Sequence, residues 1–200
     1  MTPGEIASSV IAVLSLIVSG ITAYLTLLAR FKGLVLPRRR AVLTQVERVP
    51  CLILECEFVN DGAKPGLIKD ILVKISHLDT GSQYVFVPFL LREQFNVFQN
   101  YQTSDFAVFS GISLGAKQRR ELFIVFRPNQ QNFEPPNGTV IVRTSIRTNT
   151  NSKWTESSTI ISLKLEGDIP NRWASPNGSP QQIQALEIGQ NRREYLERQK

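Results

Sequence analysis

Histidine is almost missing from this chain of 200 residues, and cysteine is scarce: His77, Cys51 and Cys56 are the whole supply. A structural zinc site draws on paired Cys or His ligands, and there is no second cysteine pair and no companion histidine to complete one. Cys51 and Cys56 lie five apart in a strand-like run, so they point to opposite faces. At about 3.3 Å per residue they are roughly 16 Å apart, beyond the reach of a disulfide. They read as buried apolar fillers, weakly in keeping with a reducing compartment. Also absent are a glycine-rich phosphate loop, an H-E-x-x-H pair, EF-hand spacing and a G-x-S-x-G elbow. His77 stands beside Asp79 at a strand end, where a lone histidine is usually a surface or turn residue. Two carboxylates would suffice for glycoside hydrolysis, but Glu55 and Glu57 read as solvent-facing strand positions. The expectation is a non-catalytic protein without metal or cofactor.

Charge is missing altogether from Ile6 to Ala29, a run of twenty-four residues. At about 1.5 Å per residue a helix of that length crosses a hydrocarbon core of roughly 30 Å. No Lys or Arg precedes the run, and Leu25, Leu27 and Leu28 leave no small-residue cleavage site, which argues against a signal peptide. A buried core helix would rarely be so free of charge. The expected unit is therefore a membrane anchor over 1–29, meeting the bilayer through residues 6–29. Ser15, Ser19 and Ala23 fall on one stripe of it, a spacing that lets a second helix approach and suggests self-association or a membrane partner.

Basic residues begin where the apolar run stops: Arg30, Lys32, Arg38, Arg39 and Arg40. Lys and Arg near a span stay on the cytoplasmic side, so the expected topology is N-terminus out with the rest in the cytoplasm. This cluster, read as a juxtamembrane linker over 30–40, is also the expected contact with anionic headgroups; the alternative is that it acts as a topology signal only. Net charge is +6, but no basic stripe interleaves with aromatics, so nucleic acid is not an expected partner.

From about residue 41 hydropathy alternates with period two. Leu52, Leu54, Cys56 and Phe58 mark one strand. Ile71–Ile75, Tyr84–Leu91 (with Pro88 at an edge or bulge), Leu122–Phe126, Val140–Ile146 and Ile161–Leu165 mark others. Turn signals separate them, at Asn60-Asp61-Gly62, Pro65-Gly66 and Asp79–Ser82 among others. The pattern predicts an all-β domain over 41–168, an antiparallel immunoglobulin-like β-sandwich of seven or eight strands. Phe58–Ile71 resembles a strand–loop–strand of immunoglobulin-like domains in single-pass membrane-anchored prokaryotic proteins. Gly115–Phe126 looks like the strand pair that often follows in them. The resemblance implies architecture and little chemistry; the paired core cysteines and central tryptophan of antibody domains are lacking.

Two stretches break the alternation. Phe95, Phe98 and Tyr101 belong to an aromatic-rich segment over 86–109. They read either as caps on the core or as an exposed partner patch, and Arg92–Tyr101 reads as a short helix. Residues 169–200 read as a polar linker followed by a short C-terminal helix, started by Ser179 as N-cap, Pro180 and Gln182. Asn137-Gly-Thr and Asn177-Gly-Ser match the glycosylation sequon, which matters only outside a eukaryotic cell. The functional expectation is a membrane-anchored interaction or scaffold module on the cytoplasmic face with an unidentified protein partner; the alternative is an extracytoplasmic adhesion, envelope or transport-accessory domain.

Overall fold

In the computed structural model the described residues are 2–24, 30–93, 106–130, 133–175, 181–184 and 186–188. The first element, α1 (Pro3–Ala23), carries an uncharged window over Ile6–Ala23 of mean hydropathy 2.2, none of it buried. It is long and apolar enough to span a membrane. A core-helix reading is excluded, because no part of the sheet covers it.

The remainder is antiparallel β: β1 (Gly33–Val46), β2 (Val49–Asn60), β3 (Gly66–His77), β4 (Gln83–Arg92), β5 (Ala107–Val108), β6 (Ile112–Leu114), β7 (Arg119–Pro128), β8 (Gly138–Thr148), β9 (Thr155–Leu165), the short helix α2 (Ile169–Ala174), β10 (Gln181–Gln184) and β11 (Leu186–Ile188). The eleven strands of the described residues belong to one curled sheet in the order β10-β1-β2-β7-β4-β3-β8-β9-β11, with β5 on β4 and β6 on β3. Two separately packed layers of an immunoglobulin-like sandwich are not distinguished in it. β10 pairs with β1 at Arg40–Leu43, and β11 pairs with β9 at Ile160–Ser162. The two ends of the path are thus successive pieces of one C-terminal segment, and that segment bridges both sheet edges. The helix expected there is corrected over the described residues, which are strands. An unpaired edge offers a row of backbone partners, whereas a helix with a thin apolar face has little to bury.

Alternation sets what faces in. Val35, Ala41 and Leu43 of β1, Leu52 to Phe58 at every second position of β2, Leu122, Ile124 and Phe126 of β7, and Ile161, Leu163 and Leu165 of β9 form the main core with matching residues of β3 and β8. A second, smaller cluster lies on the other face of β1, β2, β7 and β4: Val42, Cys51, Ile53, Leu90, Phe123 and Val125. Cys56 belongs to the first core and Cys51 to the second, as an odd offset requires.

β1 starts at Gly33, eight residues before the alternation is legible. Between Pro37 and Ala41 it carries two residues more than β2 does, so Arg38, Arg39 and Arg40 bulge outward and all three are exposed. An even insertion preserves the inward parity on either side.

Aromatic side chains close the two ends. Phe31 is buried against Gly33 and Gly66 at the end that follows α1, here termed proximal. At the distal end Trp173 of α2 is 1% exposed, stacks on Phe86, meets Phe133 edge-on and donates from Nε1 to the Cys51 carbonyl at 3.0 Å. The stretch read as a linker from Ile169 to Trp173 is therefore a helical plug.

Candidate functional site

The titratable side chains inside the sheet are held in structural contacts. His77 is buried. Its Nε2 lies 2.6 Å from the Asn137 carbonyl, and its Nδ1 accepts from the Asp79 and Thr80 amides at 3.2 and 3.1 Å. This pattern fixes the neutral tautomer with the proton on Nε2. His77 is thus a turn residue as expected, but not a surface one. Glu57, read as solvent-facing, is 6% exposed: the Arg38 guanidinium reaches it at 2.8 Å and that of Arg119 at 3.3 Å. Parity does turn it outward, and the bulged Arg38 then covers it. Burial pushes the Cys51 thiol up to about 12 and the Cys56 thiol higher still, so neither is a nucleophile at neutral pH. Among the described residues no three His, Cys, Asp or Glu side chains converge as metal ligands.

Among the described residues, depressions of two kinds mark the wall. A groove of about 480 Å³ beside the β1 bulge is lined by Leu36, Pro37, Arg38, Arg39, Glu57 and Thr159. It opens where β1 has left β10 and not yet met β9; Ser157 Oγ donates to the Val35 carbonyl at 2.6 Å just beyond. A smaller pocket of about 150 Å³ lies over the second core, lined by Val46, Ile53, Leu90, Phe106 and Val125 together with Thr44, Gln45 and Glu47.

The five basic residues that form one cluster in sequence are divided in space. Arg38 also reaches Glu121 at 3.0 Å, and Arg40 approaches Glu55 at 3.6 Å, both on the sheet wall. Arg30 and Lys32 lie at the proximal end, exposed on either side of buried Phe31. That end is tied together by Asn60, which is 1% exposed. Its Oδ1 accepts from the Lys32 and Gly62 amides, and its Nδ2 donates to the Lys64 and Gly115 carbonyls. Gly62 presses on the Arg30 backbone so closely that a Cβ there would collide with its carbonyl.

Around this knot the rim is basic. Lys64 and Lys117 are exposed in neighbouring loops, with the Lys117 amide donating to the Gly62 carbonyl at 3.1 Å. Lys153 and Trp154 are exposed in the β8–β9 loop, which the Asn149 amide ties to the Leu67 carbonyl of β3 at 2.9 Å. Trp154 is 46% exposed with the Arg147 guanidinium 5.4 Å over its ring. The acids nearby are partly spoken for: Asp70 is held by Arg147, and Glu93 by Arg120.

Sequence reading singled out Arg30 and Lys32 but not Lys64, Lys117, Lys153 or Trp154, since no local pattern signals that three loops converge. Phe95, Phe98 and Tyr101 lie outside the described residues. Ser15, Ser19 and Ala23 are exposed on α1. A comparison with protein-family models and with curated proteins finds no match for this chain.

Proposed function

We propose that the protein is a single-pass membrane-anchored, non-catalytic interaction or scaffold module whose β-domain stands on the cytoplasmic face. The observation that carries this reading is the succession in the chain of an exposed apolar helix, the basic residues Arg30 and Lys32, and a sheet that clamps those two residues by Gly62 and Asn60. Such a clamp holds the domain close to whatever surface α1 enters. The burial of His77 and Glu57 in structural contacts, and an interior filled by apolar side chains, favour a role through surfaces rather than through a reaction. The basic flank after α1 favours the cytoplasmic side.

Topology is the test. Both native thiols are buried, so a single cysteine at exposed Glu134 (Glu134→Cys) gives a clean signal with a membrane-impermeant maleimide. Labelling only after permeabilisation is the expected outcome. Labelling in intact cells would overturn the orientation and bring forward the extracytoplasmic adhesion or envelope role, where the exposed Asn137 sequon would gain meaning.

A further inference from the structure

The proximal end combines three features that no single stretch of sequence shows together. Five exposed basic residues, Arg30, Lys32, Lys64, Lys117 and Lys153, ring it. An exposed tryptophan, Trp154, follows Lys153 in the β8–β9 loop, with the Arg147 guanidinium over its ring. The basic rim is tied to the chain that leaves α1, because Arg30 is pinned by Gly62 and Lys32 by Asn60. We propose that this end is a lipid-binding face that rests on anionic headgroups, with the lysines meeting phosphate or carboxylate and Trp154 entering the interfacial layer. The inference deepens the anchored reading and rests on it.

Tether length favours this occupant over a soluble anion. Six Cα steps separate Tyr24 from Arg30, and at about 3.6 Å each they span at most roughly 22 Å. A face held that near a bilayer meets its headgroups at high effective concentration, so weak contacts are populated. Each basic side chain close to an anionic leaflet contributes a factor of about five. Tryptophan is enriched at membrane interfaces because its ring is apolar and its N–H polar. Asp61 lies on the rim, where Lys117 Nζ donates to its backbone carbonyl, and Glu156, two residues past Trp154, is paired with Arg143. That leaves basic charge in excess.

Trp154 is its own reporter, since the other tryptophan, Trp173, is 1% exposed and shielded throughout. The full chain would be reconstituted into vesicles of phosphatidylcholine alone and of phosphatidylcholine with phosphatidylserine. Quenching by acrylamide, a neutral quencher, would be read in both, with Trp154→Phe as the blank. The expected result is a quenching constant at least halved in the anionic vesicles. It should return to the neutral-vesicle value in 1 M salt, where the Debye length is about 3 Å. Lys64→Gln, Lys117→Gln and Lys153→Gln together should restore it as well, while the salt arm needs no substitution. Equal quenching in both compositions overturns the proposal, and so does shielding that salt leaves unchanged. An alkaline carbonate wash separates the two levels. A chain that washes off sinks the anchor itself, whereas one that stays while Trp154 remains open sinks only the lipid face.

Discussion

Cys51 and Cys56 sit on one strand and serve different cores, a fact legible from their odd spacing alone. Burial keeps both protonated, and the consequence for stability has a definite sign. The folded pKa of each lies above its unfolded value of about 8.5. Their contribution is therefore complete below that value and is lost as pH rises towards the folded pKa, about 12 for Cys51. Each thiol can remove up to ~1.4 kcal/mol of stability per pH unit in that window. Urea unfolding of wild type and Cys51→Ala at pH 8 and pH 10.5 isolates the effect from lysine and tyrosine titration. The variant is expected to be weaker at pH 8, by ~1 kcal/mol for the lost packing, and to fall less steeply with pH. Parallel decline would refute a role for the Cys51 thiol. Glu57 shows the opposite limit of legibility. Its outward parity was readable, but its burial depends on Arg38, and Arg38 reaches it only because β1 bulges.

Among the elements, the C-terminal segment departs furthest from its local signals. Ser179-Pro180 and Gln182 form a sound helix start, yet Gln181–Gln184 and Leu186–Ile188 are strands because the edges of β1 and β9 stand ready for them. Tertiary pairing overrides local propensity here, which no window of the sequence can register. Ile183 is the anchor of the bridge, 8% exposed and packed into the main core opposite Ala41. Ile183→Asp would bury an unpaired carboxylate, at a cost of about 3 kcal/mol or more. The expected outcome is local release: the alternate amides within Arg40–Leu43 and Ile160–Ser162 that face β10 and β11 exchange quickly, while those bonded to β2 and β8 keep their protection. Freed edges should also make the variant prone to associate. Unchanged exchange in β1 and β9 would mean that the bridge adds nothing to edge stability.

At the scale of the whole molecule, the strands were legible where one face is buried and the other wet, because that writes a period of two into the sequence; β2 and β7, buried on both faces over Leu52–Leu54 and Leu122–Phe126, read as nearly continuous apolar runs instead. Closure of the sheet, the plugs at Phe31 and Trp173 and the convergence of the proximal loops were not legible, since they rest on contacts between residues far apart in the chain. Asn60 is the clearest case. Asn-Asp-Gly reads as a turn, and it is one, but the same side chain also joins the segment leaving α1, the β2–β3 loop and the β6–β7 turn through four hydrogen bonds. Asn60→Ala would strip the side-chain partner from the Lys32 and Gly62 amides and from the Lys64 carbonyl, while the Gly115 carbonyl keeps the Gln118 amide. Allowing for some water entry, the expected loss is about 3 kcal/mol, measured by urea unfolding of the full chain in micelles. Asn60→Asp separates the two halves of the knot, because a carboxylate still accepts from Lys32 and Gly62 but cannot donate to Lys64 or Gly115. It should therefore protect the Lys32 amide from exchange while remaining less stable than wild type, whereas Asn60→Ala should lose both. If Asn60→Ala left stability and Lys32 exchange untouched, the coupling between α1 and the sheet would have to lie with Phe31 and Gly66 instead.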